Sequence, residues 1–233
     1  MPLFDHFRPP LSIRRHWHSF HNSWATYLAA DLNKRLPTNY FAEANVRFGI
    51  EIDIAAYGET SPSGGVATPS WTPPAPTLTI PYADTTDHVE VLIFQQADGP
   101  RLAGVIEIVS PSNMDHQTAR DAFVSKCVAY LSLPVGLLVV DVVTDRHANL
   151  HAELISRLGS PGTTANPELY ATAYRRAERE TGASVDIWVK QLAIGQALPT
   201  LPLWLPGGLC LEVALEESYS RTCQEQRVVT NGA

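Results

Sequence analysis

The chain has 233 residues, 45% hydrophobic and 18% charged, enough to bury a sizeable core in one compact domain. Its formal charge of -7 and pI near 5.6 argue against the broad basic surface of a protein that grips nucleic acid indiscriminately. No apolar run reaches membrane-spanning length, the N-terminus lacks a signal-peptide core, and Cys127, Cys210 and Cys223 are too scattered for a disulfide framework or a cysteine zinc site. The expectation is a cytoplasmic protein with reduced thiols and no membrane partner.

Near-helical spacing of Phe20, Trp24, Tyr27, Leu28 and Leu32 predicts a first helix over Ser19 to Arg35, stopped by Pro37. Alternation then predicts strands over Phe41 to Phe48 and Ile50 to Tyr57, the second placing Glu51 and Asp53 on one face. Residues 58 to 81, crowded with Pro, Gly, Ser and Thr, read as an extended or mobile insertion. Asp98-Gly99 predicts a hairpin between Val89 to Gln96 and Arg101 to Val109. A helix over Asp115 to Leu133 buries Ala119, Phe123, Cys127 and Leu131, and Pro134 ends it. The apolar run Val135 to Val143 follows this crossover, so a strand parallel to the 101–109 strand is expected. Strands over Glu168 to Arg176 and Ser184 to Leu192, an extended proline-rich segment from Leu198 to Pro206, and a helix over Leu209 to Arg221 complete the reading. The fold class is α/β, a mixed central sheet flanked by helices.

Within Leu102 to Val109, Glu107 interrupts a run of the kind buried on both faces, where an uncompensated charge is expensive. Period two places it with Ala103, Val105 and Val109, opposite Leu102, Gly104, Ile106 and Ile108. Either it is a structural carboxylate with a local partner, or it belongs to a site with Asp53. Lys126, the only lysine between Lys34 and Lys190, shares a helical face with Phe123 and Tyr130, so its ammonium either snorkels to solvent or reaches the end of the Glu107 strand. Carboxylates at Asp53 and Glu107 would hold a magnesium or manganese ion, and the lysine would orient the attacking water, which is the equipment of phosphodiester hydrolysis.

Other residues are accessory. Ser110-Pro111-Ser112-Asn113 suits a helix lead-in, with Ser110 or Asn113 alternatively touching a phosphate or metal-bound water. His21 caps or packs near the site, and Glu51 and Tyr130 flank it. A zinc reading of His16, His18 and His21 lacks evident shell partners. His147 and His151 lie in a polar stretch and are expected at the surface. Arg14 and Arg15, or Arg175, Arg176 and Arg179, are the local patches through which a nucleic acid would bind.

Trp17-His18-Ser19-Phe20-His21, Ile52-Asp53-Ile54, Val105 to Asn113, Leu198 to Leu205 and Leu211 to Tyr219 occur in an order and spacing that resembles the bacterial domain-of-unknown-function family 4058. That family is similar in pattern to the PD-(D/E)XK nuclease-like superfamily. The resemblance implies a restriction-endonuclease-like core across residues 1–233 and a metal-dependent hydrolase acting on phosphodiesters, with Asp53, Glu107 and Lys126 as its catalytic set. In the nuclease pattern a lysine stands two residues after the glutamate, whereas here that position is Val109. The alternative is a non-catalytic module that keeps the fold, loses the chemistry and binds a protein partner.

Overall fold

The computed structural model describes residues 1–44, 54–58, 72, 74–81, 101–160, 167–180 and 182–228. Its centre is a mixed sheet of seven strands: β1 (Tyr40–Ala44), β2 (Ile54–Gly58), β3 (Leu78–Pro81), β4 (Arg101–Ile108), β5 (Gly136–Asp141), β6 (Tyr170–Arg179) and β7 (Gly182–Gln191). Their order across the sheet is β1-β2-β4-β5-β6-β7-β3. β4 and β5 run parallel, with Glu107 beside Val139, and are joined through helix α3 (Gln117–Ser132). The remaining pairs are antiparallel.

Each face of the sheet is covered. On one side, helices α1 (Leu11–Arg14), α2 (Trp17–Asn33) and α5 (Leu215–Glu225) lie with a separate hairpin, β8 (Thr200–Trp204) and β9 (Cys210–Ala214). Here Ile106, Ile108, Leu138, Val140 and Ala173 meet Trp24, Leu28, Leu203 and Tyr219. Trp24 is wholly buried and donates its indole N–H to Ser218 Oγ at 3.1 Å, tying α2 to α5. On the other side, α3 and helix α4 (Leu150–Arg157) cover Val105, Leu137, Val139, Tyr170 and Tyr174. From Gly136 to Val140 the β5 sequence is apolar on both parities because the strand is buried on both faces.

Several expectations need correction. The segment read as a helix from Leu209 begins as strand β9, because Leu201, Leu203, Leu211 and Val213 bury one shared face of the β8–β9 hairpin against the sheet; helix starts only at Leu215. The end of the proline-rich insertion is not mere linker, since Leu78–Pro81 forms the edge strand against β7, where a proline costs no ladder bond. The expected hairpin arm Val89 to Gln96 lies outside the described residues, and the two edges of β4 pair with β2 and β5. A register shift opposite Ala56 and Tyr57 moves Ala103 into the α2 and α5 layer and Leu102 toward the α3 layer, reversing their predicted sides; Val105, Glu107 and Val109 keep theirs.

Gly136 opens β5 where the hairpin crosses it, and a Cβ there would collide with the Trp204 carbonyl of β8. Backbone cannot yield as a side-chain tip does. Gly136→Ala is expected to cost about 3 kcal/mol, the upper part of the usual overpacking range; unfolding in denaturant measures it, and an unchanged midpoint would contradict the close approach.

Candidate functional site

Glu107 occupies the penultimate position of β4, on the face covered by α3, and is 1% exposed. Its carboxylate is met from above by Lys126, whose Nζ donates to Glu107 Oε2 at 2.9 Å. The lysine side chain is 10% exposed, and its ammonium stands 5.3 Å from the Phe123 ring centre. Of the two readings of Lys126, the structure therefore shows the one in which it turns to the strand end. The sequence reason is spacing: Phe123, Cys127 and Tyr130 seat α3 on the sheet, and Lys126 projects from the same side with its stem against apolar surface.

Beyond Glu107 the strand end is pinned from the opposite layer. His21, 1% exposed on α2, donates from Nε2 to the Ile108 carbonyl at 2.8 Å. His21 thus packs near the site, whereas His16 and His18 face solvent, so the three imidazoles of the zinc reading do not converge. Val109, where the nuclease pattern would have its lysine, is fully buried and donates its N–H to Val140 at 2.8 Å. Ser110 and Asn113 form a capping box around a short 3-10 turn, with the Ser110 N–H on Asn113 Oδ1 at 2.8 Å. Tyr130 is a core residue one turn after Lys126. Asp53 and Glu51 lie outside the described residues.

The sequence reading missed the polar groups that surround this pair. Asp141 ends β5 on the same face as Glu107 and has no exposed surface. Its Oδ1 accepts the Val143 N–H at 3.0 Å, and Oδ2 has no hydrogen-bond partner among the described residues. Burial pushes this carboxyl up to about 7, against the opposing pull of the Val143 amide and the nearby Tyr170 hydroxyl. Tyr170 stands opposite Asp141 in the β5–β6 ladder, and its hydroxyl accepts the His151 N–H at 3.0 Å. The His151 ring then meets the Tyr174 hydroxyl through Nδ1 at 2.6 Å.

His151 is a correction: expected at the surface, it is 1% exposed because α4 forms there and turns it inward, while His147 stays outside. Burial lowers the His151 imidazole to about 4, so it is neutral. Cys127 joins the two groups. Its thiol is pushed far up by burial first and then by the Glu107 carboxylate, with Lys126 opposing, and it also bears on Tyr170 and Tyr174. Cys210 and Cys223 are buried free thiols as well. The result is one buried polar cluster between sheet and α3/α4, with Glu107–Lys126 at one end and Asp141, Tyr170, Tyr174 and His151 at the other.

A signal for Asp141 did exist in the sequence. A carboxylate closing an otherwise apolar strand, Leu-Leu-Val-Val-Asp-Val, poses the same question as Glu107.

Past Asp141 the chain enters a cleft of about 380 Å³ whose wall includes Arg8, Arg146, His147, Glu168 and Ile194. Its arginines face carboxylates, Arg8 near Asp5 at 3.8 Å and Arg146 on Asp115 at 2.7 Å, so it offers little unbalanced charge to a ligand.

Comparison with protein-family models, with curated proteins and with solved structures gives no match. The resemblance to family 4058 and to the nuclease-like superfamily therefore rests on the residues quoted for it. Among the described residues no helix is long and apolar enough to cross a membrane, and no group of three or more His, Cys, Asp or Glu side chains converges as a metal site.

Proposed function

We propose that the protein is a cytoplasmic, metal-dependent phosphodiesterase of the PD-(D/E)XK nuclease-like type, working from a restriction-endonuclease-like variant of the mixed sheet. The observation that carries the reading is the buried Glu107–Lys126 pair at the carboxyl end of β4, where sites form in sheets with parallel strands. It supplies the glutamate and the displaced lysine of the resembled pattern, with the lysine arriving from the next helix in place of Val109.

The donor chemistry fits magnesium or manganese, since a carboxylate is a hard oxygen ligand. Glu107 alone, already facing an ammonium, is too few ligands, and the reading requires Asp53. The described β2–β4 ladder ends at Ile54 opposite Ile106. A bound ion would polarise a phosphoryl oxygen and lower the pKa of an attacking water. In this reading Glu107 and Asp53 hold the ion, Lys126 places a positive charge beside the reacting phosphate, and His21 fixes the backbone just beyond Glu107.

One observation favours the second reading, a module without activity that binds a protein partner. Glu107 and Lys126 balance one another's charge in a nearly closed environment, which is also what a structural ion pair does.

The experiment incubates the protein with single- and double-stranded DNA and RNA in millimolar magnesium or manganese, alongside Glu107→Gln. Cleavage by the wild type, lost by at least about a thousandfold in a folded Glu107→Gln protein, is the expected outcome, as befits loss of a charged ligand in a metal site. No cleavage of any substrate, together with no thermal shift on adding either metal, would transfer the assignment to the non-catalytic module.

A further inference from the structure

Most described arginines are held by acids. Arg35, Arg120, Arg146, Arg157, Arg179 and Arg221 each face a carboxylate at 2.5 to 3.5 Å. One group differs. Arg14, the last residue of α1, Arg15, just after it, and Arg227, just past α5, are exposed and meet no carboxylate among the described residues. They are neighbours, because Arg15 donates from Nη2 to the Arg227 carbonyl at 3.4 Å and from Nη1 to the Arg14 carbonyl at 3.1 Å. Those bonds orient the Arg15 guanidinium without neutralising it.

The surroundings extend the positive character. From His6 to Ala30 the sequence contains no Asp or Glu, in a chain whose formal charge is -7. The first turn of α2 has no acidic residue either. Ile13, at 77% exposure, adds an apolar contact on the same short helix. Concentrated guanidinium charge suits phosphate groups, which it grips bidentately and without loss of charge at neutral pH.

The position is also informative. His21, one turn into α2, touches the Ile108 carbonyl next to Glu107. Arg14 and Arg15 precede that helix by two to three residues, so the basic group stands at the same end of α2 as the contact to the strand that carries the buried pair.

We propose that Arg14, Arg15 and Arg227 form the surface through which this acidic protein contacts the phosphodiester backbone of a nucleic acid. The proposal deepens the phosphodiesterase reading by locating where its substrate is held. Binding measured in EDTA keeps the two separable, since the patch can hold nucleic acid even if Glu107 cuts nothing.

The test measures affinity for a fluorescein-labelled 30-mer, as single strand and as duplex, from low to physiological salt in EDTA. It compares the wild type with Arg14→Gln/Arg15→Gln/Arg227→Gln and with Arg157→Gln as a control away from the patch. All substituted positions are exposed or half-exposed, and thermal unfolding verifies that each variant is folded. The expected result is that the triple variant binds at least about tenfold more weakly at low salt, and that its log–log salt slope falls by about 2 to 3, as three lost phosphate contacts require. Arg157→Gln should match the wild type. Equal affinity and slope for the triple variant and the wild type would overturn the proposal, as would the absence of binding to either strand form at low salt. So would arginine-dependent binding confined to vesicles of phosphatidylserine and phosphatidylcholine, which would assign the patch to a lipid surface.

Discussion

Lys126→Met is expected to lower the free energy of unfolding by about 3 to 5 kcal/mol, the cost of breaking a buried ion pair from one side. On sequence alone the same substitution looks benign, because Met reproduces the lysine stem and only a charge is lost. The structure changes that expectation. The ammonium lies 2.9 Å from a carboxylate that is 1% exposed, so removing it strips a buried charge of its cation. Glu107→Gln leaves the opposite imbalance, milder because Lys126 is 10% exposed and has a flexible stem that can turn toward water. The double variant Glu107→Gln/Lys126→Met should recover most of the loss, giving a coupling of at least about 2 kcal/mol in the cycle. Additive effects would mean that the two groups do not sense each other, and the polar cluster would lose its anchor. The cycle also bears on function, since activity comparisons need variants shown to be folded.

Asp141→Asn should make the protein more stable at pH 8 and nearly neutral in effect at pH 4. Burial holds the Asp141 carboxyl up to about 7, whereas in the unfolded chain it titrates near 4. Between those values the native state keeps a proton that the unfolded state has released, so the wild type loses stability as pH rises through this window and the loss is complete above about 7. Three units correspond to roughly 4 kcal/mol, an upper bound because Asn must also be buried. Asn can keep the Val143 N–H bond through its carbonyl and offer an N–H toward the side on which Oδ2 has no partner. His6 and His151 act with the opposite sign. Both are lowered by burial to about 4, so each adds stability as pH rises from about 4 to 6.5. The wild type should thus gain stability over that range, two groups against one, and the variant should gain more steeply. Denaturant unfolding between pH 4.5 and 8.5 separates the outcomes: a difference that grows with pH supports the buried acid, and a constant difference contradicts it.

How much of this was legible in the sequence depends on whether the deciding contacts are local. The β4–α3–β5 unit was readable because two apolar runs and a helical stripe each declare their period, and a crossover between them favours parallel pairing. Glu107 and Lys126 could be brought together for the same reason. The slip at Ala103 could not, since a bulge is set by the partner strand and leaves no mark in alternation. Cys210 to Ala214 reads as helix because Leu-Glu-Val-Ala-Leu-Glu-Glu has helical composition, and only burial against β8 and the sheet makes it a strand. Helix α4 is two turns long with a polar outer face, and its anchors are distant: Asn149 caps Ala152, but the contacts that bury His151 come from Tyr170 and Tyr174 on β6. Asp141 escaped notice although the apolar run around it posed the same desolvation question as Glu107.

The proposed role of Glu107 is to hold the metal ion of a phosphodiesterase site. A crystal structure of the protein grown in millimolar manganese tests it most directly, through the anomalous signal of the ion. The expected result is a manganese ion within about 2.0 to 2.6 Å of a Glu107 carboxylate oxygen and of an Asp53 oxygen, with Lys126 remaining on the same side of the sheet. A Glu107–Lys126 pair still closed, with no ion beside it at saturating manganese, would rule out a metal site at Glu107.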